Sequence, residues 1–283
     1  MKKILVPTDF SDCADRALEF AATLAKKVSG EIYLIHVHSD EGEYSGLRTS
    51  GEWQSVIATP EIPPMIGLLK ETKIMMEEIK KKPFMEGIPV HDNIEVGHPG
   101  IMINEAAEKY NADFIVMGTQ GAKGLAGFFV GSTAEKVVQN AVLPVLSIKE
   151  RFTTQPEQIV FASDFSEESG RVFGFIKEFA AIYNAKLNLL EVDTPGRDKR
   201  TGDLKNFHAT YDGVDYPVDS FKDVSKEAGI LHYAKKINAD LIAIGTHGRH
   251  GLSRFFNPSV SEDLVNHAFC PVLTVNFKNS AVL

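Results

Sequence analysis

The sequence predicts an α/β protein with two doubly wound domains in tandem. Three observations support this prediction. The chain has 283 residues, enough for two domains of about 140 residues each. Two segments of the first half recur in the second half. In both halves, short apolar runs alternate with stretches of helical periodicity, the pattern of a parallel sheet covered by helices.

The repeat consists of two pairs of segments. Ile4–Ser11 resembles Ile159–Ser166 at an offset of 155 residues, and Asn111–Gly121 resembles Asn238–Gly248 at an offset of 127. Because the offsets differ by 28, the second copy is shorter in its middle. A repeat of this length indicates a duplicated domain and not a short stacking unit.

The domain boundary falls in a polar stretch. Residues 149–158 separate the last apolar run of the first copy from the first run of the second, and they contain a proline. We therefore assign residues 1–149 to a first copy and residues 150–283 to a second copy. Each copy is long enough to bury its own core.

Four apolar runs of the first copy have the length of strands buried on both faces. They are Ile4–Val6, Ile32–Val37, Phe114–Met117 and Val145–Ile148. After the first run, apolar residues recur at helical spacing, and Ser11 is suited to begin this helix and Gly30 to end it. Further helices are expected near residues 68–82, 100–110 and 132–141, and the second copy repeats the first helix from Ser166 to about Asn184.

Residues 39–67 do not follow either pattern. They mix Gly, Ser, Pro and Thr with one tryptophan, Trp53, and the second copy lacks most of them. A loop of this length is either a surface excursion or a lid or partner-contact segment, and the sequence leaves both interpretations open.

Composition argues against several classes of protein. The formal net charge of −8 gives no basic surface for nucleic acid. No apolar run reaches the ~20 residues of a membrane span or the roughly 7–15 of a secretory signal, so we expect a cytoplasmic protein without a membrane partner. Cys13 and Cys270 have neither disulfide nor metal-site spacing and are interpreted as buried thiols.

A glycine-rich stretch after the run Phe114–Met117 predicts a phosphate site. Gly118 and Gly121 leave room for close backbone approach. Gly131 and Ser132 stand where a helix is expected to begin, and the free N–H groups and dipole of a helix N-terminus favour an anion. The hydroxyls of Ser132 and Thr133 add hydrogen-bond donors.

The same stretch differs from the known phosphate-transfer loops. It lacks the Gly-Lys-Ser/Thr of a Walker A loop and the spacing of the dinucleotide-binding fingerprint. Without the lysine or an acidic pair for Mg²⁺, the loop is suited to hold phosphates and not to transfer them. Lys123 is interpreted as a solvated loop residue. Asp9 follows the first strand, where its carboxylate either accepts hydrogen bonds from ribose or caps the next helix.

These motifs resemble the universal stress protein family. The resemblance rests on residues 6–11 (Val-Pro-Thr-Asp-Phe-Ser) and on Gly-x₂-Gly-x₉-Gly-Ser at 118–132, and it covers both copies. It implies a five-stranded parallel sheet of order 3-2-1-4-5 in each copy, with helices on both faces. It also implies that the copies pair through their last strands, Pro144–Ile148 and Pro271–Val275, as an internal pseudo-dimer.

The resemblance also implies an adenine-nucleotide site in the first copy. The ligand would be ATP, or AMP or ADP, with Mg²⁺ as an optional companion of the nucleotide. The residues implicated are Pro7, Thr8, Asp9, Val37, Met117, Gly118, Thr119, Gly121, Gly131, Ser132, Thr133 and Ala134.

The second copy departs from this motif. Pro258 stands where the first copy has Gly131, and Ala162 stands where it has Pro7. Proline has no N–H for a phosphate, but it is a good first residue of a helix. The retained Asp164 and Ser259 leave altered ligand binding open, as does a different anion pocket formed by His247, His250 and Arg254.

The leading functional hypothesis is a cytoplasmic stress-response protein that binds an adenine nucleotide as a regulatory ligand. No residue is assigned a catalytic role, because the sequence shows no nucleophile–base motif. The histidines, including His36, His38, His91 and His98, lack the Cys or Glu-x-x-His partners of a metal site. Two alternatives remain: a slow or partner-dependent nucleotide hydrolase or transferase, and a nucleotide-free interaction scaffold. The protein partner and a further homodimer are left open.

Overall fold

The strands of both copies join in one sheet. The computed structural model describes residues 1–39, 63–119, 131–165, 167–195, 216–246 and 258–276. The first copy contains β1 (Lys3–Pro7), α1 (Asp12–Val28), β2 (Glu31–His38), α2 (Pro63–Lys80), β3 (Val90–Val96), α3 (Pro99–Lys109), β4 (Phe114–Gly118), α4 (Ser132–Asn140) and β5 (Val145–Ile148). The second contains β6 (Gln158–Ala162), α5 (Glu167–Tyr183), β7 (Lys186–Asp193), β8 (Val218–Lys222), α6 (Lys226–Lys236), β9 (Leu241–Thr246), α7 (Pro258–His267) and β10 (Val272–Asn276).

The sheet order confirms the predicted topology. The ten strands run β3-β2-β1-β4-β5-β10-β9-β6-β7-β8, so each copy has the order 3-2-1-4-5. Within each copy all strand pairs are parallel, and β5 and β10 meet antiparallel with Leu146 opposite Leu273. Because equivalent strands meet in this way, an approximate two-fold axis passes through that pair. The predicted internal pseudo-dimer is thus confirmed.

Helices cover both faces of the sheet, as predicted. Along β1, Ile4 and Val6 enter one buried cluster and Leu5 enters the other, as the alternation of a strand requires. Residues of α1, α2 and α5 pack in the first cluster, and residues of α3, α4, α6 and α7 pack in the second. Each described helix is too short or too polar to span a lipid bilayer.

Aromatic side chains join the cores of the two copies on the first face. The ring of Phe20 in α1 lies 6.5 Å from Phe179 and 5.7 Å from Tyr183 in α5, measured between centroids. Phe114 of β4 lies 6.0 Å from Phe175 of α5. The first cluster therefore runs without a break from one copy into the other.

The ends of α1 confirm one predicted cap and correct the other. The Ser11 hydroxyl accepts the N–H of Ala14 at 3.2 Å, as expected of an N-cap. At the other end Ser29, not Gly30, adopts the left-handed conformation, with φ of 51°. Gly30 is needed for a different reason, since a Cβ there would lie 2.5 Å from the carbonyl oxygen of Lys2.

The remaining predicted helices are confirmed with shifted ends. The helix expected at 68–82 is α2, which begins at Pro63, so the last residues of the predicted 39–67 loop are helical. Residues 40–62, with Trp53, lie outside the described part of the chain. The helices expected at 100–110 and 132–141 are α3 and α4. The stop expected near Asn184 is confirmed, because α5 ends at Tyr183 and Asn184 has φ of 52°.

Two side chains cap helices across the junction. Lys149, assigned to the polar linker from sequence, is only 8% exposed. Its Nζ donates to the carbonyl oxygens of Val265 and Asn266 at the end of α7. Asn276, at the equivalent position of the second copy, donates to the carbonyl oxygen of Ala141 at the end of α4, at 3.0 Å. Each copy thus satisfies carbonyls that the last helix of the other leaves without intrahelical donors.

The Lys149 cap generates a prediction about stability and pH. Burial lowers the pKa of the Lys149 amine to about 8, so between about pH 8 and its usual 10.5 the unfolded chain binds a proton that the folded chain does not. The free energy of unfolding should then rise with pH across this range, by up to about 3 kcal/mol. Burial also raises the pKa of the nearby Cys270 thiol to about 12, so that thiol stays neutral throughout. Urea titrations of wild type and Lys149→Met at several pH values measure the effect as their difference. A difference that stays flat would show that the helix carbonyls keep the ammonium charged to its usual pKa.

Candidate functional site

A pocket lies at the carboxyl ends of β1, β2 and β4 in the first copy. It is lined by Pro7, Thr8, Asp9, Ser11, Ala14, Val37, Pro99, Ile103, Met117, Gly118, Thr119, Gly131, Thr133 and Ala134. Its empty space, including the part open to solvent, is about 640 Å³. This is the edge of the sheet where doubly wound folds bind ligands, beside the neighbouring strands β1 and β4.

Most of the residues implicated from sequence lie around this pocket. Ten of the twelve line it. Ser132 is the first residue of α4 but is not among the lining residues, and Gly121 lies outside the described part of the chain. The structure therefore brings these residues together, while their contact with a ligand stays a prediction. Sequence reasoning missed Pro99 and Ile103, since both belong to α3, which lies outside both motifs.

The loop after β1 is held by its own side chains. The Thr8 hydroxyl accepts the N–H of Phe10 at 3.0 Å, and Asp9 Oδ1 accepts the N–H of Ser11 at 3.1 Å. Phe10 adopts a left-handed conformation, with φ of 64°. Asp9 thus supports Ser11, the residue that caps α1, and it also lines the pocket. Contact of the Asp9 carboxylate with a ribose stays a prediction.

The end of β4 packs closely against the start of α1. A Cβ on Gly118 would lie 2.9 Å from the carbonyl oxygen of Cys13 and 3.0 Å from the backbone nitrogen of Ala14. Real Cβ atoms do not approach backbone so closely, so only glycine allows this contact. Glycine at position 118 is therefore required for β4 to pack closely against the start of α1.

The two described ends of the glycine-rich stretch are joined by hydrogen bonds. The Thr119 hydroxyl donates to the carbonyl oxygen of Ile148 at 3.0 Å, and the N–H of Gly131 donates to the carbonyl oxygen of Thr119 at 2.7 Å. The N–H of Gly131, expected to be free for a phosphate, is thus already used. Helix geometry instead leaves the N–H groups of Ser132 and Thr133 in the first turn of α4 without intrahelical acceptors.

The walls of the pocket differ in chemistry. Val37, Pro99, Ile103 and Met117 form an apolar wall. The polar lining comes from Thr8, Asp9 and the first turn of α4, whose N–H groups and dipole favour an anion. A pocket with both apolar and hydrogen-bonding, anion-favouring lining suits a ligand with a flat apolar part and a charged part.

The histidines singled out from sequence are dispersed. Within the described ranges, no group of three or more His, Cys, Asp or Glu side chains is placed to hold a metal ion. The rings of His36 and His38 lie 4.6 Å apart between centroids. His91 bonds to Glu31, and His98 bonds to Lys136.

The equivalent region of the second copy is built differently. The carboxylate of Asp164, the counterpart of Asp9, accepts a hydrogen bond from the Ser169 hydroxyl at 2.7 Å. Ser169 is buried and occupies the position of the pocket residue Ala14. The helix α7 begins at Pro258, consistent with the fold-preserving effect expected of this proline. His247, His250 and Arg254 lie outside the described residues.

Comparison with known proteins agrees with this architecture. The family model described as the universal stress protein family matches residues 1–149 and 220–276. A universal stress protein of Methanocaldococcus jannaschii is 37% identical over 149 residues, which cover 53% of this chain and 82% of the relative. Another, from Synechocystis, is 24% identical over 291 residues, covering 97% of this chain and 99% of the relative.

A solved structure matches the whole arrangement. The crystal structure of a universal stress protein from Archaeoglobus fulgidus has a TM-score of 0.75, with 97% of this chain and 98% of that chain covered. Its 22% sequence identity supports the fold alone. The family match covers the first copy and the later part of the second, where the phosphate-loop motif of the repeat lies. The chain therefore belongs to the universal stress protein family.

Proposed function

We propose that the first copy binds an adenine nucleotide, ATP or its AMP and ADP relatives, as a regulatory ligand in a cytoplasmic stress response. The observation that carries the proposal is a pocket lined by ten of the residues implicated from sequence, among them residues of both sequence motifs. These motifs are more than 100 residues apart in the chain. Their meeting at the β1–β4 edge follows from the 3-2-1-4-5 order.

The two walls of the pocket match the parts of a nucleotide. The apolar wall of Val37, Ile103 and Met117 suits a flat base. Thr8 and Asp9 offer an oxygen-rich edge to ribose hydroxyls. The first turn of α4 suits the phosphates, because its N–H groups lack intrahelical acceptors and its dipole favours negative charge. Mg²⁺ would accompany the phosphates and needs no cage of protein carboxylates.

The second copy serves in this proposal as a structural half. Pro258 replaces the glycine before the helix, and Ser169 holds the carboxylate of Asp164. Both changes are local to the site. The strand order and the junction through β10 are unaffected, so we expect one nucleotide per chain.

The described side chains that line the pocket favour nucleotide binding without efficient turnover. Asp9 is the one ionisable side chain among the described lining residues. Its Oδ1 already accepts the N–H of Ser11. General acid–base catalysis needs a positioned group with a matched pKa, and a carboxylate engaged in supporting the loop is poorly suited to this role.

The stoichiometry of binding tests the proposal directly. Isothermal titration with ATP, ADP and AMP, combined with native mass spectrometry, should give one nucleotide per chain, because only the first copy retains the site. Two equivalent sites, or no binding at millimolar nucleotide, would contradict the proposal. A blank titration would favour the nucleotide-free scaffold, and Mg²⁺-dependent turnover by the isolated protein would favour the hydrolase or transferase.

A single substitution separates the site from the fold. Gly131→Pro should reduce nucleotide affinity by at least tenfold, because the ring obstructs the anion site and the hydrogen bond to Thr119 is lost. Gly131 has φ of −64°, which proline adopts without strain, so the stability cost should be only about 1 kcal/mol from that lost hydrogen bond. Titration and thermal unfolding measure the two effects. Gly131→Ala, which keeps the N–H, is the matched control and should bind more tightly than the proline variant. Equal affinities of wild type and Gly131→Pro would place the ligand elsewhere.

A further inference from the structure

We infer that His36 is a positioning residue for the pocket, holding the loop after β1 in the form that accepts the ligand. The inference rests on the proposed nucleotide site. His36 lies on β2, where its neighbours Ile35 and Val37 belong to the face of the sheet that the pocket occupies. By the alternation of a strand, the His36 ring lies on the opposite face. It therefore acts on the pocket through the loop and not by touching a ligand.

Two consecutive residues of β2 hold Thr8. The N–H of Thr8 donates to the carbonyl oxygen of Ile35 at 2.8 Å, and the carbonyl oxygen of Thr8 lies 2.8 Å from His36 Nδ1. A carbonyl only accepts, so Nδ1 must carry the proton and donate. Both backbone groups of Thr8 are thus fixed to β2, which also supplies Val37 to the pocket.

The His36 ring also supports the strained residue of the loop. It stacks on Phe10 with 4.8 Å between centroids and an angle of 30°. Phe10 has positive φ, a conformation that costs free energy for a bulky residue and needs surrounding contacts to persist. The stacking and the hydrogen bond to Thr8 therefore fix opposite ends of the Thr8–Phe10 turn, with the pocket residue Asp9 between them.

The tautomer of His36 is set by its surroundings. Burial lowers the pKa of His36, so the ring is neutral near pH 7, and the Thr8 carbonyl selects the Nδ1–H form. The His38 ring lies 4.6 Å from the His36 ring between centroids, at an interplanar angle of 75°. His38 Nε2 donates to the Thr72 hydroxyl of α2, which itself donates to Leu68. The ring of His36 thus contacts both Phe10 and a second histidine that is itself held by a hydrogen bond.

The second copy retains only half of this arrangement. The N–H of Ser163, the counterpart of Thr8, still donates to the carbonyl oxygen of Leu190 at 3.1 Å. The position of His36 is taken by Glu191. An ionised carboxylate cannot donate to a carbonyl. The residue that completes the hold on the loop is therefore present in the copy with the pocket and replaced in the copy with the altered motif.

Two variants separate the hydrogen bond that the His36 ring makes to Thr8 from its stacking on Phe10. His36→Asn keeps an N–H near the position of Nδ1 but removes the stacking ring, and His36→Phe keeps a ring but removes the donor. If the hydrogen bond to Thr8 positions the loop, the phenylalanine variant should lose at least tenfold in affinity for ATP by isothermal titration. The asparagine variant should stay within about threefold of wild type. Glu191→Gln in the second copy is the matched control and should bind as wild type does.

The outcomes separate this inference from the proposed function. If wild type does not bind ATP, the proposed nucleotide site is rejected, and with it the role of His36 in positioning the loop for that ligand. If wild type binds and His36→Phe binds equally well, the site stands and the inference is overturned. Thermal unfolding of both variants is the control for general destabilisation. A purely structural role of His36 would lower the stability of both variants without making the affinity of His36→Phe lower than that of His36→Asn. Should His36→Phe not fold, ¹⁵N NMR of the wild-type histidines decides: Nδ1–H is required at His36, and an Nε2–H tautomer overturns the inference.

Discussion

The antiparallel pairing of β5 with β10 is the contact on which the rest of the molecule depends. Both strands are the last of their copies and would otherwise be exposed edges, which proteins must cover or pair. Their pairing leaves only β3 and β8 at the ends of the sheet. It also places α1 next to α5, so that the aromatic cluster around Phe20 and Phe179 contains residues of both copies. A single antiparallel junction therefore produces one extended core from a duplicated sequence.

This junction also explains why Lys149 and Asn276 are not simple linker and tail residues. Each directly follows or ends the last strand of its copy and reaches the last helix of the other. Equivalent positions in the two copies thus cap a helix with side chains of different chemistry. The amide of Asn276 is neutral, whereas the amine of Lys149 gains from the helix dipole when charged and loses from burial. Duplication preserved the geometry of capping while its sensitivity to pH diverged.

The sequence predicted most of the fold because its central strands are apolar on both faces. β1, β4 and β5 are almost entirely buried, and their short apolar runs are easily recognised. β3 and β8 lie at the sheet edges and are largely half-buried or exposed, so apolar runs do not reveal them, and their existence was implied only by family resemblance. Gly30 was misassigned for a related reason, since glycine is required there by a contact with Lys2 that local sequence cannot show.

The site was predictable where a motif is contiguous, at residues 6–11 and 118–132. Ile103 was missed because it reaches the pocket from the crossover helix. The contacts of His36 with Thr8 and Phe10 were missed because they lie on the reverse side of a strand.

The two copies show which interactions belong to the fold and which belong to the site. The positive φ of Phe10 recurs at Phe165, and the hydrogen bond from Thr8 to Ile35 recurs from Ser163 to Leu190. These features survive in both copies, so they serve the turn from the first strand into the first helix whether or not a ligand binds. The positions that differ include Ala14 against Ser169, His36 against Glu191, and Gly131 against Pro258. The first two adjoin the loop after the first strand, and the third begins the helix that faces it. Differences at these positions leave the junction intact, so the second copy can depart from the first at the site and still complete the sheet on which the first copy depends.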